Sequence, residues 1–230
     1  MSAKAGNMEW NFRDQHLVML PQRALYWKDR GILIISDLHI GKAGHFRKAG
    51  IAVPRKLEQE DLANLSDLIQ AIHPSTLIFL GDLFHSEYNN DWHWLGMWRE
   101  SFRQIKMLLI KGNHDILADK YYRDADIEVV NDFTTGPFTF VHEPKRLTEV
   151  VRGEGKYLIS GHLHPAVRLK GKGRQSVTLS CFYFGPEQGV LPAFGRFTGR
   201  CCIREEEGSV TFGIVNDKVI RLSGSVGGMS

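Results

Sequence analysis

The apolar positions of this chain fall into short runs separated by polar punctuation. Leu17–Leu20 and Ala24–Trp27, divided by Pro21-Gln22, predict a hairpin or two early strands. Gly31–Ser36 (GILIIS) and Leu77–Leu80 (LIFL) are continuous apolar runs, as expected of strands buried on both faces. Ile105–Ile110 predicts a third strand. Between these runs the period changes. From Pro54 to Ile72, the residues Leu57, Leu62, Leu65, Leu68, Ile69 and Ile72 recur near helical spacing behind a proline start, so a helix is expected. Asp91–Gln104 reads as another helix. The later half is strand-rich: Ile127–Val130, Phe138–Val141, Tyr157–Ser160, Val177–Phe184, Cys202–Arg204, Ser209–Val215 and Lys218–Leu222 all read as strands. Alternating strand and helix, followed by strands, predicts an α/β architecture with two sheets and helices outside.

No linker, low-complexity tract or repeat interrupts the 230 residues, so one domain over 1–230 is expected, with 1–9 and 223–230 as loose tails. No apolar run reaches the ~18–20 residues a membrane span needs, so no membrane partner is expected. Met1–Asn11 lacks the apolar centre of a signal peptide. Three cysteines, Cys181, Cys201 and Cys202, are an odd number with two adjacent. They argue against a disulfide framework and for buried thiols in a reducing compartment, which makes the expected location cytoplasmic. The net charge of +3 does not identify a partner.

The polar residues that follow the apolar runs change the picture. Ser36-Asp37-Leu38-His39, Gly81-Asp82, Gly112-Asn113-His114-Asp115, Val141-His142 and Gly161-His162-Leu163-His164 each come directly after an expected strand. In α/β sheets, ligands gather at the carboxyl ends of strands, so these segments are expected to form one site. Asp37, Asp82, Asn113, His39, His142, His162 and His164 make a mixed oxygen–nitrogen set without thiolate, which suits Mn²⁺, Fe or Zn²⁺. D-x-H and H-x-H are each expected to project two side chains from one face of an extended segment toward one ion. Asp82 could bridge two ions. Two ions ~3.5–4 Å apart can hold a hydroxide between them and clamp a phosphoryl group in line with it. Of the ten histidines, His16, His73 and His93 are expected to be structural or surface residues, while His45 and His85 stay undecided. Asp115 reads as a helix cap or as support for the metal ligands. Gly81, Gly112 and Gly161 are expected to serve tight turns.

The motifs DxH (Asp37, His39), GD (Gly81-Asp82), GNHD (Asn113, His114, Asp115), the lone His142 and GHxH (His162, His164) resemble those of the calcineurin-like metallophosphoesterase superfamily. The resemblance implies a four-layer α/β/β/α sandwich. It implies one metal on Asp37, His39, Asp82 and His164, and a second on Asp82, Asn113, His142 and His162. It also implies that His114 is catalytic, stabilising phosphoryl charge or protonating the leaving oxygen as the metal-bridging hydroxide attacks. A narrower resemblance runs from about Trp10 to Leu222. SDLHIGKAGHFRKAGIAVP (Ser36–Pro54), GDLFHSEYN (Gly81–Asn89), SGHLHP (Ser160–Pro165) and LPAFGRFTG (Leu191–Gly199) are similar to the bacterial ligase-associated DNA damage response endonuclease subfamily, PdeM. That similarity implies a Mn²⁺-dependent phosphodiesterase acting on DNA, in a repair system with a DNA ligase, an exonuclease and a helicase. Many superfamily members read GDxxD, where the second acid orients the catalytic histidine. Here His85 takes that place, and His85, Asp115 or a water are the candidates for supporting His114.

Basic residues accompany the motifs. Gly41–Lys56 carries Lys42, Arg47, Lys48, Arg55 and Lys56; Pro165–Gln175 carries Arg168, Lys170, Lys172 and Arg174; Val190–Arg204 adds Arg196, Arg200 and Arg204. Read as loops, they could touch phosphates flanking the scissile one. The other reading is solvated loops. Trp92, Trp94 and Trp98 recur at helical spacing and are expected to pack rather than stack on bases. The leading expectation is a DNA endonuclease. The alternative is a phosphodiesterase or pyrophosphatase for cyclic or small nucleotides, which a closed pocket would favour over an open basic groove. A non-enzymatic scaffold is disfavoured, because His114 and the whole ligand set are present.

Overall fold

The computed structural model describes residues 6–42, 44, 50, 56–85, 88–144, 156–171 and 173–223. A seven-stranded sheet comes first, its order following the chain: β1 (Met8–Phe12), β2 (Gln15–Leu20), β3 (Ala24–Trp27), β4 (Ile32–Ile35), β5 (Thr76–Phe79), β6 (Lys106–Ile110) and β7 (Glu128–Val130). Strands β1 to β4 pair antiparallel, and β4 to β7 pair parallel. The parallel crossovers run through helices α1 (Lys56–Ile72), α2 (Asn90–Glu100) and α3 (Asp119–Asp124). The second sheet contains β8 (Phe133–Thr135), β9 (Phe138–Phe140), β10 (Tyr157–Ser160), β11 (Pro165–Lys170), β12 (Ser176–Phe184), β13 (Gln188–Val190), β14 (Cys201–Cys202), β15 (Val210–Val215) and β16 (Lys218–Ser223).

The continuous apolar runs explain the layering. Alternate side chains of a strand point to opposite faces. Leu33 and Ile35 of β4, Leu77 and Phe79 of β5, and Met107 and Leu109 of β6 pack with Leu65, Leu68 and Ile69 of α1 and with Trp92 and Leu95 of α2. Ile32, Ile34, Ile78, Leu108 and Ile110 point the other way, onto Phe138, Phe140, Tyr157, Ile159, Phe182 and Phe184 of the second sheet. Truncating Leu33 or Ile34 to alanine would cost about 2–5 kcal/mol, because neither core face can refill the space. Helices thus cover one face of the first sheet and the second sheet covers the other, as expected of an α/β fold with two facing sheets. Among the described residues no helix covers the outer face of the second sheet.

Several sequence expectations shift. The expected loose tail over 1–9 overlaps β1, which begins at Met8 and pairs with β2. Met8, Trp10 and Phe12 alternate inward against the second core, so the period-two signal outweighs the polar neighbours. The helix expected over Asp91–Gln104 stops at Glu100. Buried Arg99 there donates to the carbonyls of Phe102 (2.6 Å) and Ile105 (3.2 Å), which holds the chain in a turn. The stretch after Pro165 is partly strand β11 rather than loop, paired with β12. Cys181 is buried, but Cys201 and Cys202 are exposed on the short strand β14, against the expectation of buried thiols. Residues 224–230, most of the second expected tail, lie outside the described residues; Ser223 belongs to β16.

Candidate metal centre

The polar segments do converge. They follow β4, β5 and β6, adjacent parallel strands of the first sheet, and β9 and β10, adjacent parallel strands of the second. Because the sheets lie face to face, their carboxyl ends open on one edge. The loops after β4 and β5 run side by side, with His39 N–H donating to Asp82 O (2.8 Å) and Ile40 N–H to Leu83 O (3.0 Å).

The local backbone is not the extended one expected for D-x-H and H-x-H. Asp37 (φ 53°), His39 (53°), Asp82 (52°), His162 (68°) and His164 (50°) are all left-handed. This conformation costs an L-residue about 1–2 kcal/mol, so the surrounding structure must enforce it. Gly81, at φ 77°, takes the left-handed turn conformation expected of it, whereas Gly112 and Gly161 serve differently. Gly112 has no positive φ, but a Cβ there would collide with the backbone N and Oδ1 of Asp82. A Cβ on Gly161 would strike Ser36 Oγ and Asp37 Oδ2. Close approach, more than turn geometry, requires them.

Two groups of side chains bring candidate ligand atoms within 4.8 Å of one another: Asp37, His39 and His164, and Asp82, His142 and His162. D-x-H stays in one group, whereas H-x-H is divided between the two. The carboxylate of Asp82 spans them, with Oδ2 3.7 Å from His39 Nε2 and Oδ1 3.4 Å from His142 Nε2. Asn113 joins the second group through Oδ1, 3.0 Å from His142 Nε2.

Hydrogen bonds decide which atoms face inward with lone pairs. His142 Nδ1 lies 2.8 Å from the Leu80 carbonyl, which can only accept. Nδ1 therefore carries the proton, and a neutral His142 presents a bare Nε2. That Nε2 faces Asn113 Oδ1, Asp82 Oδ1 and, at 3.2 Å, His162 Nδ1. In the first group, buried Asp37 Oδ1 and His39 Nε2 make no hydrogen bond. His164 Nε2 approaches that Oδ1 to 3.3 Å. Buried acceptors turned on one another are costly unless a cation lies among them, so the residues present fit a metal pair.

The electrostatics agree. Burial, aided by the Lys42 charge, pushes the His39 imidazole down to about 2, so it is neutral and able to ligate at pH 7. Burial alone would raise the Asp37 carboxyl, but the adjoining His164 imidazole and the Ser36 hydroxyl hold it below its ordinary value. Lys42 is half-buried at the site; burial draws its ammonium down against the pull of Asp82 and Asp37.

His114 stands beside these groups. Its N–H donates to Asp82 Oδ1 (2.9 Å), and its ring lies 5.4 Å from that of His39. His85 sits against His114 with ring centroids 4.0 Å apart, and its Nδ1 is 3.2 Å from His39 Nδ1. Asp115 is buried and accepts from Phe84 N–H (3.0 Å), Gly112 N–H (2.9 Å) and Tyr122 O–H (3.2 Å). Burial raises its carboxyl to about 6 against those donors. It staples the β5 and β6 loops together rather than capping a helix. His16 pairs with Asp29 at the surface and His73 closes α1, as expected of structural histidines.

The basic candidates separate. Arg168 is exposed on β11. Arg196 is held by α1, with Nη1 2.9 Å from Glu60 and its backbone N–H donating to Asp61 Oδ2 at 3.1 Å, so its guanidinium is already paired with acids. Arg47, Lys48 and His45 lie outside the described residues. Trp92 is buried and Trp98 donates to Ser66 Oγ, as packing requires, but Trp94 is 53% exposed. Sequence reasoning missed Ser36, which donates to Asp37, and the Leu80 carbonyl, which sets the His142 tautomer. For Ser36 the signal was its place between a buried strand and the aspartate; a backbone carbonyl leaves none.

The Calcineurin-like phosphoesterase family profile matches residues 31–150 of the 230. Among solved structures, the Pseudomonas putida nuclease MPE is similar at 28% identity, covering 94% of this chain and 100% of its own, with a TM-score of 0.77. Looser likeness reaches a protein of unknown function from Aquifex aeolicus (19% identity, 62% of this chain, 82% of that one, TM-score 0.43). The phosphoesterase Yfce from E. coli follows at 12% identity, 84% of this chain and 99% of that one, with a TM-score of 0.43. No curated protein sequence matches.

Proposed function

Because the chain belongs to the calcineurin-like phosphoesterase family, we propose that it is a two-metal phosphodiesterase that cleaves DNA, its two side-chain groups each holding one divalent cation and sharing Asp82. The observation that carries this reading is the convergence of buried acceptors: Asp37 Oδ1 and His39 Nε2 make no hydrogen bond, and His142 Nε2, its ring set by the Leu80 carbonyl, is turned on Asn113 Oδ1 and Asp82 Oδ1. The donor set suits Mn²⁺, Fe or Zn²⁺, and the resemblance to the endonuclease subfamily favours Mn²⁺. Once bound, such a pair of cations supplies an activated water and offsets charge on the phosphoryl oxygens.

The protein's own residues do the rest. The Leu80 carbonyl and Ser36 orient His142 and Asp37 before any ligand arrives. Asp82 fixes the His114 backbone, so the imidazole stands at the rim of both groups, where it can donate a proton to the leaving oxygen. Lys42 can meet a phosphate flanking the scissile one. The nuclease named among the similar structures supports a polynucleotide substrate, and exposed Arg168 suits one. The same reading puts the enzyme in the cytoplasm, in a repair system with a DNA ligase, an exonuclease and a helicase.

The test is to strip the protein of metal, restore Mn²⁺, and offer labelled single-stranded, double-stranded and nicked DNA beside bis-p-nitrophenyl phosphate and 2′,3′-cyclic AMP. His114→Ala controls for contamination. DNA cleavage by the wild type and not by the variant is expected. Hydrolysis confined to the small diesters would reject DNA as the substrate and leave the metal chemistry intact.

A further inference from the structure

Resting on the nuclease reading, we propose that Tyr88 and Tyr121 form a stacking site for a nucleobase beside the scissile phosphate. The two rings lie 5.1 Å apart, tilted by 36°, yet Tyr88 remains 58% exposed and Tyr121 40% exposed. Large aromatic faces left open to water are costly unless they have a partner. These are rooted in the core. Trp92 meets the Tyr121 ring edge-on at 6.3 Å, and also packs edge-on against Phe84 (5.2 Å) and Tyr122 (5.1 Å), both fully buried. Tyr121 is thereby seated on the core, and Tyr88 rests against it.

Its position ties it to the metal centre. Tyr88 follows His85 by three residues, and His85 rests on His114. Tyr121 precedes Tyr122, whose hydroxyl is bonded to Asp115, the residue after His114. Ile116, whose N–H is bonded to the His114 carbonyl, is 63% exposed on the same loops. The loops that carry His114 thus also carry an exposed aromatic and apolar surface, and Lys42 adds a cation beside Asp82 and Asp37. A phosphodiester backbone with attached bases presents the matching pair of features, charge and flat rings. Base–aromatic stacking needs no particular base, so this site would grip the strand without reading its sequence.

The test uses metal-loaded protein carrying His114→Ala, so that strands bind without being cut. Fluorescence anisotropy compares a short oligothymidylate with the same sugar–phosphate strand lacking bases. Tyr88→Ala and Tyr121→Ala should each weaken binding of the oligothymidylate by about 5- to 100-fold, the range typical of a lost base stack. Tyr88→Phe and Tyr121→Phe, which keep the ring, should bind it as the parent does. Binding of the abasic strand should change by less than about twofold throughout. Equal weakening on both strands would mean that the tyrosines only shape the loops, and would overturn the proposal. So would a His114→Ala parent that binds the two strands alike while the wild type cleaves DNA. A His114→Ala parent that binds neither strand, beside a wild type that hydrolyses small diesters but cleaves no DNA, would instead defeat the nuclease reading and the stacking site with it.

Discussion

Two charged regions flank the end of β4, and they are built on opposite principles. On one side, Asp37 and Asp82 face imidazoles whose lone pairs also point inward, and the acceptors Asp37 Oδ1 and His39 Nε2 find no donor. On the other lies a cleft of about 530 Å³ lined by Pro21, Arg23, Asp61, Asn64, Phe194 and Arg196. There Asp61 meets the N–H and guanidinium of Arg196, which also reaches Glu60. The chain joins the two regions directly: Phe194 N–H donates to Ser36 O (2.7 Å) and Gly195 N–H to Asp37 O (3.2 Å). Acid and base are matched in the cleft and unmatched in the metal centre. Buried groups left without partners mark a place waiting for a ligand, whereas matched ones mark a joint in the fold.

The sharpest way to break this contrast is to remove one acid from each region. Asp82→Ala should release metal from both groups, since its two oxygens face both, and lower hydrolysis by about 10³-fold or more. Metal counting after dialysis reads the first effect and steady-state rates the second; a variant that keeps two ions would end the bridging assignment. His114→Ala comes next, with a rate loss of about 10²–10⁴ and metal retained, as befits a proton donor. A third comparison sets one base against another. Lys42→Ala should lower kcat/KM on DNA about tenfold, the value of one charge-assisted phosphate contact. Arg196→Ala should lower it less than about twofold while costing the fold about 0.5–1 kcal/mol. Reversed effects would show that the cleft, not the metal rim, receives the strand.

The candidate metal centre was legible because metal chemistry needs particular residue types directly after buried strands, and both GILIIS and LIFL announce such strands in one dimension. What the sequence hid was pairing. Lys42 and Arg196 look alike as basic residues near motifs, and only the folded chain brings Glu60 and Asp61 of α1 against Arg196. The division of His162 and His164 between two groups was implied by the family resemblance but not by their spacing, because it depends on left-handed backbone, which residue types other than glycine do not advertise. β1 was readable from Met8, Trp10 and Phe12 but was masked by their polar neighbours. The short strands β13 and β14 exist because neighbouring strands offer a ladder, not because their own residues prefer one.

The smallest expected effect probes the matched side of the contrast by pH. Burial raises the Asp61 carboxyl to about 6, against the pull of Arg196. In the unfolded chain the same group ionises near its ordinary value of about 4. From about pH 4 to about pH 6 the folded state therefore holds the proton that the unfolded state gives up, and folding stability falls as pH rises through that window. Above it the penalty is complete, on the order of 1–3 kcal/mol. Asp61→Asn keeps an acceptor for the Arg196 N–H but cannot ionise. Its urea midpoint should lack the decline between about pH 4 and 6 and should exceed that of the wild type at pH 7. A midpoint that follows the wild type across the window would mean that Arg196 already compensates the buried charge in full. The cleft would then be a satisfied ion pair with no strain of its own, and the cost of unmatched charge would rest in the metal centre alone.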